Sequence, residues 1–161
     1  MKESIIEGDN KATDVASYII NYCHDHKISI TNLKLQKLLY FCEASYLIHT
    51  KGKNACFEQH IVAWTYGPVV LGIYFKYSNF KSNEISDSPE LETKLINEDV
   101  IRTTLDVFAP YDAYVLADIT HAEKPWNDAY KNGKNTVIEK YAIYEYLTTS
   151  RKKSKKKSDA K

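Results

Sequence analysis

The chain has 161 residues (18.5 kDa) and 43% apolar side chains, enough for one sizeable core. Five Gly and four Pro exclude collagen-like or low-complexity character, and 13 Tyr, 5 Phe and 2 Trp argue against global disorder. The net charge of +1 hides an asymmetry: residues 151–161 hold seven bases and one acid, which leaves the preceding body at −5. No apolar run approaches the ~18 residues of a membrane span, and residues 1–10 lack an apolar signal region. The expectation is a cytoplasmic protein with no membrane partner.

In chain order, residues 1–10 read as an N-terminal arm. Ala12 to His26 has helical periodicity, with Val15, Ala16, Ile19, Ile20 and Cys23 on one stripe. Thr31 or Asn32 suits the N-cap of a second helix. Its stripe of Leu35, Leu38, Leu39, Cys42 and Tyr46 is widened by Leu33, Phe41 and Leu47, which makes this helix central to the core. Lys51-Gly52-Lys53-Asn54 stops it. Two β-like runs, Ala55–Phe57 and Ile61–Trp64, are expected to pair as a hairpin around Glu58-Gln59-His60. Gly67-Pro68 reads as a turn feeding a helix with Pro in its first turn. A loop over Ser78–Pro89 precedes a helix from near Glu90 to Phe108, with a break at Asn97. Asp112 caps a short helix through Ile119, and Pro125 to Tyr130 forms another. Thr136-x-x-Glu139 is a capping-box pattern for a last helix carrying Tyr141, Tyr144 and Leu147. The sum is a predominantly α-helical single domain, 11–149, with one small β-hairpin. The basic residues 150–161 follow as a disordered tail, most simply a solubilising terminus, with nucleic acid, anionic lipid or an acidic partner as its other targets.

The chain carries no nucleophile elbow, Walker loop, Rossmann glycine pattern or zincin motif. Cys23, Cys42 and Cys56 form no C-x-x-C and read as reduced packing thiols. Cys23-His24-Asp25-His26 is dense in ligand-type side chains, but neighbours on a helix diverge, so no metal site is expected. His121 and Glu123 could act as an acid–base pair, yet no nucleophile or oxyanion device accompanies them. Packing at a helix connection is the simpler role. The first two helices have helix-turn-helix spacing, with Asn32, Lys34, Gln36 and Lys37 opening the second. The leucines of that same helix demand burial, which opposes groove reading. In Trp64-Thr65-Tyr66-Gly67-Pro68, each aromatic is either core or an interface anchor. Lys34 and Lys37 are expected to share a polar edge, and with Tyr66 they would make one contact patch if the hairpin packs beside it.

Three strings carry a resemblance: Ile30 to Phe41 (ITNLKLQKLLYF), Ala63 to Val70 (AWTYGPVV), and Thr120-His121-x-Glu123-x-Pro125-Trp126. In this order and spacing they resemble the signatures of Panacea-domain proteins, also described as SocA-like antitoxins or phage-associated GepA-type proteins. The resemblance covers roughly Ala12 to Leu147. It implies a bacterial antitoxin that neutralises, by direct contact, a cognate toxin encoded by an adjacent gene. One branch of the family acts as an adaptor delivering its toxin to a Clp-type protease, and a small nucleic-acid-binding regulator using the basic tail is the further alternative. The family has no agreed catalytic site, so neither enzyme activity nor a cofactor is expected. Lys34, Lys37, Tyr66, Gly67 and Pro68 are the candidate toxin-binding residues. Leu35, Leu38, Leu39, Trp64, His121, Glu123, Pro125 and Trp126 are read as structural parts of the motifs. The acidic body would suit a basic toxin surface.

Overall fold

Thr31 is extended, and its hydroxyl accepts a hydrogen bond from the Lys34 backbone at 3.3 Å. That contact starts helix α2 (Asn32–His49), around which the remainder is built. The computed structural model describes the backbone of residues 6–159 and the side chains of residues 6–149. Before α2 come strand β1 (Gly8–Asn10) and helix α1 (Ala12–Asp25). After it come β2 (Ala55–Phe57), β3 (Ile61–Trp64), β4 (Gly67–Val69), α3 (Leu71–Lys76) and a 3-10 turn at Ser78–Phe80. Helices α4 (Glu98–Phe108), α5 (Ala113–His121) and α6 (Lys124–Lys131), strand β5 (Val137–Ile138) and helix α7 (Lys140–Asp159) complete the fold. It is mostly α with a minor β part, as the sequence predicts.

Helix α2 touches α1, α3, α4, α5, α7, β2 and β4. Leu35, Leu38, Leu39, Cys42, Tyr46 and Leu47 are all buried, and so are the polar Asn32, Gln36, Lys37 and Glu43. With Asn32, Gln36 and Lys37 buried, the helix presents no polar face to a DNA groove, so the helix-turn-helix reading fails. Buried Glu43 is paired: its Oε1 lies 2.8 Å from Lys140 Nζ and its Oε2 accepts the Cys56 N–H at 2.5 Å. Lys140 Nζ also donates to the Phe57 carbonyl, so one ion pair ties α2, β2 and α7 together.

The strands pair differently from the expectation. β2 does not fold back on β3; it lies parallel to β1, with Gly8 opposite Ala55 and Asn10 opposite Phe57. The last residues of the N-terminal arm are therefore core structure. The hairpin is β3–β4, closed by Thr65 and Tyr66, with Ala63 opposite Pro68. β5 pairs on the other side of β3, giving the order β4-β3-β5. Pro68 stands in edge strand β4, where a missing N–H is tolerated, and not in a helical first turn. Thr136 precedes β5, and its hydroxyl donates to the Gly133 carbonyl, so the capping-box reading also fails.

The helix expected from Glu90 begins only at Glu98, after Asn97 in the left-handed region (φ 56°). Two buried side chains explain the delay. Asp14 accepts the Glu92 N–H at 2.8 Å, and Asn10 accepts the Ile96 N–H at 2.7 Å while donating to its carbonyl. Those groups are thereby withdrawn from any helix. Asp112 caps α5 as predicted, accepting from the backbones of Tyr114 and Val115. α7 runs past residue 150, where the sequence reading placed the start of a disordered tail. Lys and Arg are good helix formers and no Gly or Pro interrupts them. Cys23, Cys42 and Cys56 are free and buried. Among the described residues no helix is long and apolar enough to cross a membrane.

Candidate functional site

The three sequence signatures meet. From α2, Gln36 Oε1 accepts the Val70 N–H at 2.9 Å and Lys37 Nζ donates to the Pro68 carbonyl at 2.9 Å. One turn on, the Tyr40 hydroxyl donates to Glu123 at 2.9 Å. Trp126 donates its indole N–H to the Trp64 carbonyl at 2.9 Å. The first signature thus holds the second and third, and the third holds the second. Pro125, Trp126, Leu35, Leu38 and Leu39 are buried, in keeping with a structural role.

Where these segments join, a groove of about 630 Å³ opens between the N-terminal half of α2, the β3–β4 turn and the start of α5. That volume suits a small ligand or a few residues of a partner. Trp64, Tyr66, Tyr74 and Tyr114 supply aromatic walls, and Lys34, Lys37, Lys81 and Lys134 stand against one acid, Asp112. Tyr66 and Tyr114 project at the rim, 63% and 67% exposed. The Trp64 indole donates to Asn135 and carries Lys134 Nζ over its ring at 4.5 Å.

The floor is unusual. Lys37 is 0% exposed and Lys34 only 7%. Neither lysine is on the solvated edge that the sequence suggested. Desolvation pushes the Lys37 ammonium down to about 7, and it lowers Lys34 as well. Lys37 has one hydrogen bond for three donors, and Lys34 Nζ has no partner among the described residues. Gly67 makes room for this. Its φ is 114°, and an added Cβ would stand 2.9 Å from Lys37 Nζ and 3.0 Å from Thr120 Oγ1. Gly67 and Pro68 are buried and shape the floor, so of the five candidate contact residues only Tyr66 is openly accessible.

His121 and Glu123 do not form an isolated acid–base pair. Glu123 is engaged by Tyr40, and burial raises its pKa. The His121 ring packs on Trp126 at 4.2 Å between centroids, and its buried Nε2 has no hydrogen-bond partner. Burial, then the nearby Lys37 charge, lowers its pKa and keeps it neutral. Among the described residues no cluster of three or more His, Cys, Asp or Glu side chains could hold a metal.

Sequence reasoning missed Tyr114, Tyr74, Lys81 and Lys134, which lie outside the signatures or in loops. A signal for the buried lysines existed: a helix apolar on nearly all sides leaves Lys34 and Lys37 no polar face.

The fold is thus a helical scaffold in which two of the three strings line one basic, aromatic-rimmed groove and the third braces them. The family model described as Antitoxin SocA-like, Panacea domain, matches residues 35–127, and the chain belongs to that family. No curated protein and no solved structure matches it.

Proposed function

We propose that the protein is an antitoxin that neutralises its cognate toxin by direct binding at the groove mouth. The observation that carries this reading is a groove lined by the first two of the three strings, with the third bonded behind them, whose rim presents Tyr66 and Tyr114. Exposed tyrosines beside a recess bury much area at small cost in side-chain freedom, as interface anchors do. A binding role also accounts for His121 and Glu123, which serve packing and hydrogen bonding within the frame.

The test is co-expression with the product of the neighbouring reading frame. Growth should be restored, and the two proteins should co-purify as a stoichiometric complex with the toxin level unchanged. Rescue without a complex refutes direct neutralisation. Rescue accompanied by rapid loss of the toxin, abolished in a strain lacking Clp-type proteases, supports the adaptor reading in its place.

A further inference from the structure

We propose that the groove floor is a carboxylate-recognition site: Lys34, with Lys37 behind it, receives an aspartate or glutamate from an extended segment of the partner protein. This rests on the binding role proposed above and names the chemistry that the partner must present.

The argument starts from charge. The body of the chain is acidic, at −5, but the groove lining holds four lysines and one aspartate. Asp112 caps α5 with Oδ1, accepting from the Tyr114 and Val115 N–H groups, and its charge acts on Lys34 without making an ion pair with it. Buried ammonium groups are costly without a partner, and they are normally paired. Elsewhere the same chain obeys that rule: buried Lys140 sits 2.8 Å from Glu43. Lys34 lines the groove with 93% of its surface covered, its ammonium keeps some solvent contact, and it has no hydrogen bond or ion pair among the described residues. Lys37 adds two unused N–H donors deeper in. The nearby amides are not free to do this work. Asn32 donates to the Tyr74 carbonyl, and Gln36 is shared between Asn32 Oδ1 and the Val70 N–H. They fix the wall and leave the lysines to the ligand.

The walls choose among anions. Aromatic rings on both sides of a narrow recess suit one acidic side chain flanked by apolar ones. A nucleic-acid backbone needs cations spread along an open track, whereas the four lysines of the groove are gathered in one recess. The complementarity therefore reverses the expectation drawn from net charge: the contacting segment of the toxin is acidic and not basic.

Zero-length carbodiimide cross-linking joins a carboxylate to an amine in contact, with loss of water. Applied to the wild-type complex of antitoxin and neighbouring toxin, followed by mass spectrometry, it should give an amide between Lys34 or Lys37 and one toxin Asp or Glu. Lys34→Met should weaken the complex at least tenfold without lowering the urea midpoint, and Lys34→Arg should restore most of the affinity. Cross-links confined to lysines outside the groove overturn the proposal, as does a Lys34→Met complex within twofold of wild type. Displacement of the toxin from the wild type by 10 mM inorganic phosphate or by a 20-nucleotide RNA, but not from Lys34→Met, shows a phosphate site and also overturns it. If the wild type holds no toxin, the binding role itself falls and this inference with it. If it holds toxin regardless of Lys34, only this inference falls.

Discussion

Replacing Lys37 with Met should stabilise the protein, by an amount that depends on pH. Met keeps the unbranched length and loses the ammonium. In the folded chain Lys37 is fully buried and titrates near 7, whereas in the unfolded chain it titrates near 10.5. Between those values the unfolded chain holds a proton that the folded chain has released. Wild-type stability therefore rises with pH through this window, by roughly 1.4 kcal/mol per pH unit. From pH 7 to pH 9 the gain is about 2–3 kcal/mol, because only half the sites have lost the proton at pH 7. The Met variant lacks it. Met also leaves the Pro68 carbonyl without its donor, which costs about 1–3 kcal/mol at every pH. The variant should then exceed wild type by about 1–3 kcal/mol at pH 7 and fall to near parity at pH 9. Urea titration of both proteins at pH 7, 8 and 9 reads the difference from the midpoints at equal m-value. A difference that is constant across the three pH values, or that widens toward pH 9, refutes the account of Lys37 as an unpaired buried amine.

Four further outcomes are expected. Leu38→Ala or Leu39→Ala should cost about 2–5 kcal/mol in urea unfolding, since both side chains are fully buried on the central helix. Gly67→Ala should cost about 1–3 kcal/mol, because φ is 114° and the new methyl meets Lys37 and Thr120; an unchanged midpoint would place that turn wrongly. Lys140→Met should cost roughly 3–5 kcal/mol by stranding the Glu43 carboxylate, and Glu43→Gln in the same background should recover part of it. Tyr66→Ala should weaken toxin binding by more than ~1 kcal/mol in calorimetry while leaving the urea midpoint in place; a loss of stability that alone explains the weaker binding would return Tyr66 to the core.

The sequence is legible where local chemistry decides. Thr31 and Asp112 cap helices as their side-chain oxygens dictate, and the leucine pattern of α2 places it at the centre. The errors fall where distant residues decide. Nothing near Glu90 says that Asp14 and Asn10 will take its neighbours' backbone groups across some eighty residues. A three-residue strand such as Ala55–Phe57 carries no mark of its partner, so proximity suggested Ile61–Trp64 where the fold supplies Gly8–Asn10. The site was legible in its parts: Lys34, Lys37 and Tyr66 do line one groove. Their burial was not, because charge suggests solvent until the full wrapping of α2 is known.

That wrapping has a kinetic consequence. The groove gathers residues from Ser29 to Lys134, so no fragment of the chain contains it. At the ~5–20 residues per second of synthesis, the last wall emerges roughly 5–20 s after the first. Over that interval α4 and then α5 arrive to cover α2, and α7 follows later still, so the nascent chain exposes its central helix for much of its synthesis. The groove is complete only once its last wall has emerged. A chain halted midway therefore has no part of the groove in working form.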